Sequence, residues 1–130
     1  MSQMHVVALV VVLALLEYSI LGAMVGQARQ KYKVPAPATT GDPIFERYFR
    51  VHQNTMEQLV VFVPAMFIFA TYVHTLGAAA LGVLFVAARA IYARSYIRYP
   101  EQRAAGAVVT FLVNTILVVG SLIGVVVRAL

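Results

Sequence analysis

RYFRVHQNTME, residues 47–57, followed after Gln58 by LVVFVPAMFIFATYV, residues 59–73, decides the fold of this chain. A helix turns 100° per residue, so Arg47, Arg50, Asn54 and Glu57 fall within about 80° of one another while descending roughly 15 Å along the axis. A polar stripe thus runs into a stretch long and apolar enough to enter a bilayer. A charge at the bilayer centre costs about 2.5 to 3.5 kcal/mol even on the mildest scale, so such charges persist where they face protein, water or a ligand. The stripe therefore predicts a binding site at one membrane face.

The composition agrees with a membrane setting. The 130 residues are 62% hydrophobic and 12% charged, too apolar for a soluble domain. Four stretches reach the roughly 20 residues needed to cross a hydrocarbon core: Met4 to Ala28, Phe45 to Val73, Leu76 to Ser95 and Ala104 to Val127. The expectation is an all-α, four-helix transmembrane bundle occupying residues 1–130 as one domain. The leader MSQMH has no Lys or Arg, which disfavours a cleaved signal peptide. The chain has no Cys, so any thiol chemistry must use a thiol brought in.

Nine of the ten basic residues (Arg29, Lys31, Lys33, Arg47, Arg50, Arg89, Arg94, Arg98 and Arg103) lie in or beside the first and third connections. The positive-inside rule places those connections in the cytoplasm and both termini on the opposite side. The net charge of +5 is thereby spent on topology and anion binding, and no nucleic-acid partner is needed to explain it. The first connection, ARQKYKVPAPATTGDP, is the long one; Asp42 and Pro43 can start the second helix, and a short turn near His74 to Gly77 makes helices two and three a hairpin. Pro100 interrupts the third connection and puts Arg103 near the start of helix four. The pairs Gly22/Gly26 and Gly120/Gly124 predict close helix packing.

Helix three adds Arg89, Tyr92 and Tyr96 on one face. With Arg103 and the basic loop they outline a cationic cavity holding one acid, Glu57. A small ligand with carboxylates and one ammonium fits that balance. His52 points about 160° from this arc and reads as a residue for packing, a subunit boundary or a neighbouring site rather than for catalysis; His5, His52 and His74 lie on different segments and form no metal-ligand pattern. Glu17, in the middle of the first span, reads either as a cation-coupled site, as in small multidrug exporters, or as a neutral or subunit-contact residue.

FERYFRVHQNTMEQLVVF, preceded by ARQKYKV and TTGDP and followed by RAIYARSYIRYPEQR, resembles the family of membrane-associated proteins in eicosanoid and glutathione metabolism. RVHQNTME is most similar to its microsomal glutathione transferases. The resemblance implies a homotrimer with glutathione between neighbouring subunits and no metal. Arg50 and, from the adjoining subunit, Arg29 would hold the carboxylates; Asn54 and Glu57 would hold the polar backbone and amino group; Tyr92 and Tyr96 would line the pocket. Arg103 would be the catalytic arginine that stabilises the thiolate. The implied activity is glutathione transfer to a lipophilic electrophile, or reduction of a lipid hydroperoxide, in a membrane such as the bacterial inner membrane. Alternatives are a non-catalytic lipid-binding scaffold of the same family and an exporter centred on Glu17. Gln58 replaces a tyrosine of the leukotriene synthase pattern and Gln30 a second basic residue, which argues against leukotriene synthesis.

Overall fold

The computed structural model describes residues 2–130. It consists of four helices: α1, Gln3–Tyr32; α2, Pro43–Tyr72; α3, Thr75–Arg98; and α4, Ala104–Ala129. A single 3-10 turn, Pro100–Gln102, precedes α4. All four are long and apolar enough to cross a membrane, and the protein is a multi-pass, all-α four-helix bundle. α1 packs on α2 and α3, and α4 packs on α2 and α3.

The helix boundaries have local causes. Asp42 accepts from the backbone N–H groups of Ile44 and Phe45 at 2.9 Å each, with Pro43 in the first turn, as the sequence predicted for the start of α2. His74 starts α3 in the same way, its Nδ1 accepting from the Gly77 N–H at 2.7 Å. The chain between α1 and α2 is shorter than the sequence suggested, because α1 continues through Arg29 and Lys31. It stops at Lys33, which turns to φ 57° and donates its N–H to the Arg29 carbonyl. Two cations in the last turn complement the negative end of the helix dipole.

In lipid, close packing rather than water exclusion holds helices together. Phe62 of α2 stacks on Phe85 of α3 with centroids 3.8 Å apart, and Val7, Met66 and Leu117 close the same core. Gly120 and Gly124 serve the α2/α4 seam: a Cβ at Gly120 would stand 2.6 Å from the Phe69 ring, and one at Gly124 2.7 Å from Val73. Gly22 faces His52, whereas Gly26 meets nothing within 4 Å. His52 stacks on Tyr18 at 4.3 Å and joins α2 to α1, the packing role its position predicted.

Candidate functional site

The polar end of α2 divides its labour. Arg47 turns toward α3 and donates to the carbonyls of Ile97 and Arg98 at 3.0 and 3.3 Å. It caps orphan carbonyls at the end of that helix and does not line the cavity. Arg50, Asn54 and Glu57 do line it, together with Gln53, Tyr92, Tyr96 and Arg103, around a volume of about 400 Å³. Three helix segments therefore converge: the first half of α2, the last turns of α3 and the residue that opens α4.

Each wall has a structural reason. Tyr92 is buried and Tyr96 half-buried, with ring centroids 5.6 Å apart. Arg103 donates to the Pro100 carbonyl at 2.8 Å, and its guanidinium lies 5.9 Å from the Tyr96 ring centroid. The 3-10 turn thus holds the Arg103 guanidinium at the cavity through Nη1 and leaves its other donors open. Gly106 brings α4 this close: a Cβ there would stand 2.7 Å from the Tyr92 backbone nitrogen and 2.8 Å from the Ala88 carbonyl oxygen. Backbone atoms cannot move aside as a side chain can, so only glycine permits this approach.

Arg89 departs from the sequence reading, which set it in the cavity wall. It is 1% exposed and serves as a pin beneath the 400 Å³ cavity. Its Nη2 donates to Asn54 Oδ1 at 2.8 Å and to Thr55 Oγ1 at 2.9 Å, its Nη1 reaches Thr110 Oγ1 at 3.4 Å, and it lies 4.2 Å from the Tyr92 ring centroid. Asn54 is oriented as a result. A guanidinium only donates, so the Asn54 oxygen is committed inward and its amide nitrogen is the group left to offer a ligand.

Arg29 stands apart from the other predicted residues. Its Nη1 donates to the Ala38 carbonyl at 2.7 Å, and its guanidinium covers the Phe45 ring at 4.9 Å. It lines none of the Arg50, Glu57 and Arg103 cavity within its own subunit. Gln53 does line it and was not singled out by sequence reasoning. At 100° per residue it lies about 40° outside the polar arc, so only its nearness to Arg50 and Glu57 could have signalled it.

The cavity's charges are specific. Arg50 and Arg103 supply two guanidinium groups and Glu57 one carboxylate, while Asn54, Gln53 and the tyrosines supply neutral polar contacts. Guanidinium groups bind carboxylates in paired hydrogen bonds and a carboxylate suits an ammonium. Among the described residues no three His, Asp or Glu side chains come together as metal ligands. Beside the polar cavity a series of hollows follows the α2/α4 seam. One beside Asn54 shares Gln58 and Phe111 with a second at Asn114, which shares Val61 and Val118 with an apolar groove of about 420 Å³ at Pro64 and Leu122.

A small transmembrane bundle with a charged pocket at one end is a class of architecture, and sequence comparison narrows it. The MAPEG family's sequence model matches residues 7–123, and the chain belongs to that family. An uncharacterised protein of Synechocystis is 43% identical over 118 residues, covering 91% of this chain and 86% of that protein. Mouse microsomal glutathione S-transferase 2 is 36% identical over 123 residues, covering 95% and 84% of the two chains. Bovine leukotriene C4 synthase is 31% identical over 104 residues, covering 80% and 69%.

Proposed function

We propose that this protein is a membrane-bound glutathione transferase that ionises glutathione and presents the thiolate to lipophilic electrophiles or lipid hydroperoxides. The observation that carries the reading is the cavity's charge balance. Arg50 and Glu57 match one carboxylate and the ammonium of glutathione, and Arg103 adds a cation for its thiolate. Relatives named microsomal glutathione S-transferase 2 and leukotriene C4 synthase support it. In this reading Arg50 holds a carboxylate, Glu57 the ammonium, Asn54 donates its amide to the peptide backbone, Tyr92 and Tyr96 form the wall, and Arg103 faces the sulfur. In a homotrimer, Arg29 of a neighbouring subunit supplies the second carboxylate contact. The protein then sits with the basic connections in the cytoplasm, where glutathione is dissolved, in keeping with the positive-inside rule.

Magnitudes decide what catalysis must rest on. A thiol of pKa about 8.5 is about 3% ionised at pH 7, and lowering it two units raises that to roughly 75%. The shift requires about 2.7 kcal/mol, within reach of a nearby guanidinium at moderate effective dielectric. Nucleophilicity meanwhile falls about eightfold at a Brønsted slope near 0.45, leaving a net gain of about threefold. Most acceleration therefore comes from holding the thiolate against an electrophile in fixed geometry, which can contribute several kcal/mol. The hollows along the α2/α4 seam suit delivery of an apolar reactant from the bilayer, since they begin among exposed apolar side chains such as Val61 and Leu122 and end at Asn54 and Arg103.

The deciding experiment is ultraviolet thiolate absorbance of the protein in lipid nanodiscs as glutathione is titrated at neutral pH. A saturable signal is expected. A protein that neither produces the signal nor binds glutathione would remove the enzyme reading and leave the lipid-binding scaffold.

A further inference from the structure

Glu17 is the acidic residue of α1, and the glutathione site has no use for it. It lies about 22 Å along the axis from Tyr32, at 1.5 Å per residue, deep in the membrane span. Between α1 and α3 a groove of about 350 Å³ is walled by apolar side chains such as Leu13, Ile20 and Val86, and by two charged residues, Glu17 and Arg89. Glu17 Oε1 is sealed and has no hydrogen-bond partner among the described residues; the same is true of Arg89 Nε. One is an acceptor and the other a donor, Glu17 opposes the charge of Arg89 when it is ionised, and their residues border one groove.

Arg89 also reaches the opposite side of the bundle. There it borders a hollow of about 220 Å³ with Asn54, Thr110 and Arg103. Glu57 borders neither the groove nor this hollow. The other polar groups bonded to or stacked on Arg89 are neutral: Asn54 and Thr55 of α2, Tyr92 of α3 and Thr110 of α4. His52, the titratable group α2 sets against α1, is stacked on Tyr18. The buried guanidinium is thus held by neutral acceptors toward the site, with a carboxylate residue on its far side.

We propose that Glu17 is the counter-charge of Arg89 and a positioning residue for the site: balancing that guanidinium from behind, it keeps Arg89 bonded to Asn54 and withholds its positive charge from the thiol. In a low-dielectric interior a charge acts well beyond contact distance. An ionised Glu17 therefore offsets at the site part of the potential that Arg89 would impose. The consequence is useful chemically. A thiol attacks fastest when its pKa lies near the ambient pH, because further acidification costs nucleophilicity without adding much thiolate. Glu17 keeps the site from becoming too cationic.

The inference rests on the glutathione reading for its main assay. Thiolate absorbance is followed against pH in nanodiscs with saturating glutathione for the wild type, Glu17→Gln, Glu17→Asp and Glu46→Gln. Glu17→Gln keeps the shape and loses the charge, so the bound thiol's pKa should fall by about half a unit to one unit. Glu17→Asp and the remote Glu46→Gln should stay at the wild-type value. A purely structural Glu17 would alter stability and leave the thiol's titration in place. An unchanged or raised thiol pKa in Glu17→Gln overturns the proposal. A second measurement needs no glutathione: the ¹⁵N resonance of Arg89 Nε–H should move between wild type and Glu17→Gln in ligand-free protein, and a fixed resonance also overturns it. If the wild type gives no thiolate signal, the glutathione reading fails by itself, and the resonance still decides whether the charge of Glu17 acts on Arg89.

Discussion

The two ends of α4 are held against the bundle by different means. At the far end Gly120 lies under the Phe69 ring, and Gly124 lies beside Val73 with the Tyr72 carbonyl oxygen 3.0 Å from its Cβ position. At the site end, Gly106 lets α4 meet the α3 backbone at Tyr92, and Arg89 ties α2, α3 and α4 through Asn54, Thr55, Tyr92 and Thr110. An apolar seam needs only shape, and a methyl group pressing on a ring can be absorbed by the ring's movement. A polar seam must also find partners for its buried donors, since each one left unpaired, as Arg89 Nε is, costs about 1–3 kcal/mol. The site end is therefore the less tolerant one, and it fixes the orientation of Asn54.

Substitutions that strip ligand-facing charges from the site end should have the largest effect. Hydrogen bonds to charged groups contribute about 1.5–3 kcal/mol, so Arg50→Ala and Glu57→Ala should each raise the glutathione concentration for half-saturation by about 10- to 150-fold, measured by calorimetry in nanodiscs. Unchanged affinity in both would remove the site assignment.

Arg103→Ala comes next, and it separates activation from binding. If Arg103 supplies the full two-unit shift, the thiolate fraction of bound glutathione at pH 7 should fall from roughly 75% to about 3%. Turnover at saturating glutathione should fall less, by about threefold from this cause, because the thiolate that remains is more nucleophilic. Losses of thiolate and turnover in equal proportion would show that thiolate supply, rather than placement, controls the rate.

Gly106→Ala tests the comparison itself. Its new methyl would meet backbone at 2.7 and 2.8 Å, and forcing such contacts costs about 1–3 kcal/mol. Thermal unfolding should show the loss, and glutathione affinity should fall with it as Arg103 and Tyr92 separate. Gly120→Ala should cost less, because its neighbour at 2.6 Å is a ring edge. Equal losses at the two positions would erase the distinction between the ends.

The smallest effect belongs to Gly26→Ala. Nothing lies within 4 Å of its Cβ position, and alanine favours a helix by up to about 1 kcal/mol over glycine. The isolated protomer should be neutral or slightly stabilised. A marked loss of the assembled form would mean that this face of α1 meets another subunit.

Much of this molecule is legible from its sequence, for reasons that are local. Span length and hydropathy set the four helices, because a bilayer demands about 20 apolar residues whatever the neighbours. Asp42–Pro43 marks the start of α2 through capping chemistry contained within three residues. Arg50, Asn54 and Glu57 fall on one face by helical arithmetic, and in the folded protein they line one cavity. What the tertiary structure decided is which arginines are free. Arg47 sits on the same arc as Arg50, yet it is consumed by the carbonyls of Ile97 and Arg98; Arg89 has the same spacing to Tyr92 that suggested a wall, yet it is buried as a pin; Arg29 is held by its own loop. A guanidinium's availability depends on which acceptors the fold brings within about 3 Å of it, and those acceptors lie in a loop nine residues on for Arg29 and on another helix, up to 51 residues away, for Arg47. Periodicity within one helix carries no record of them.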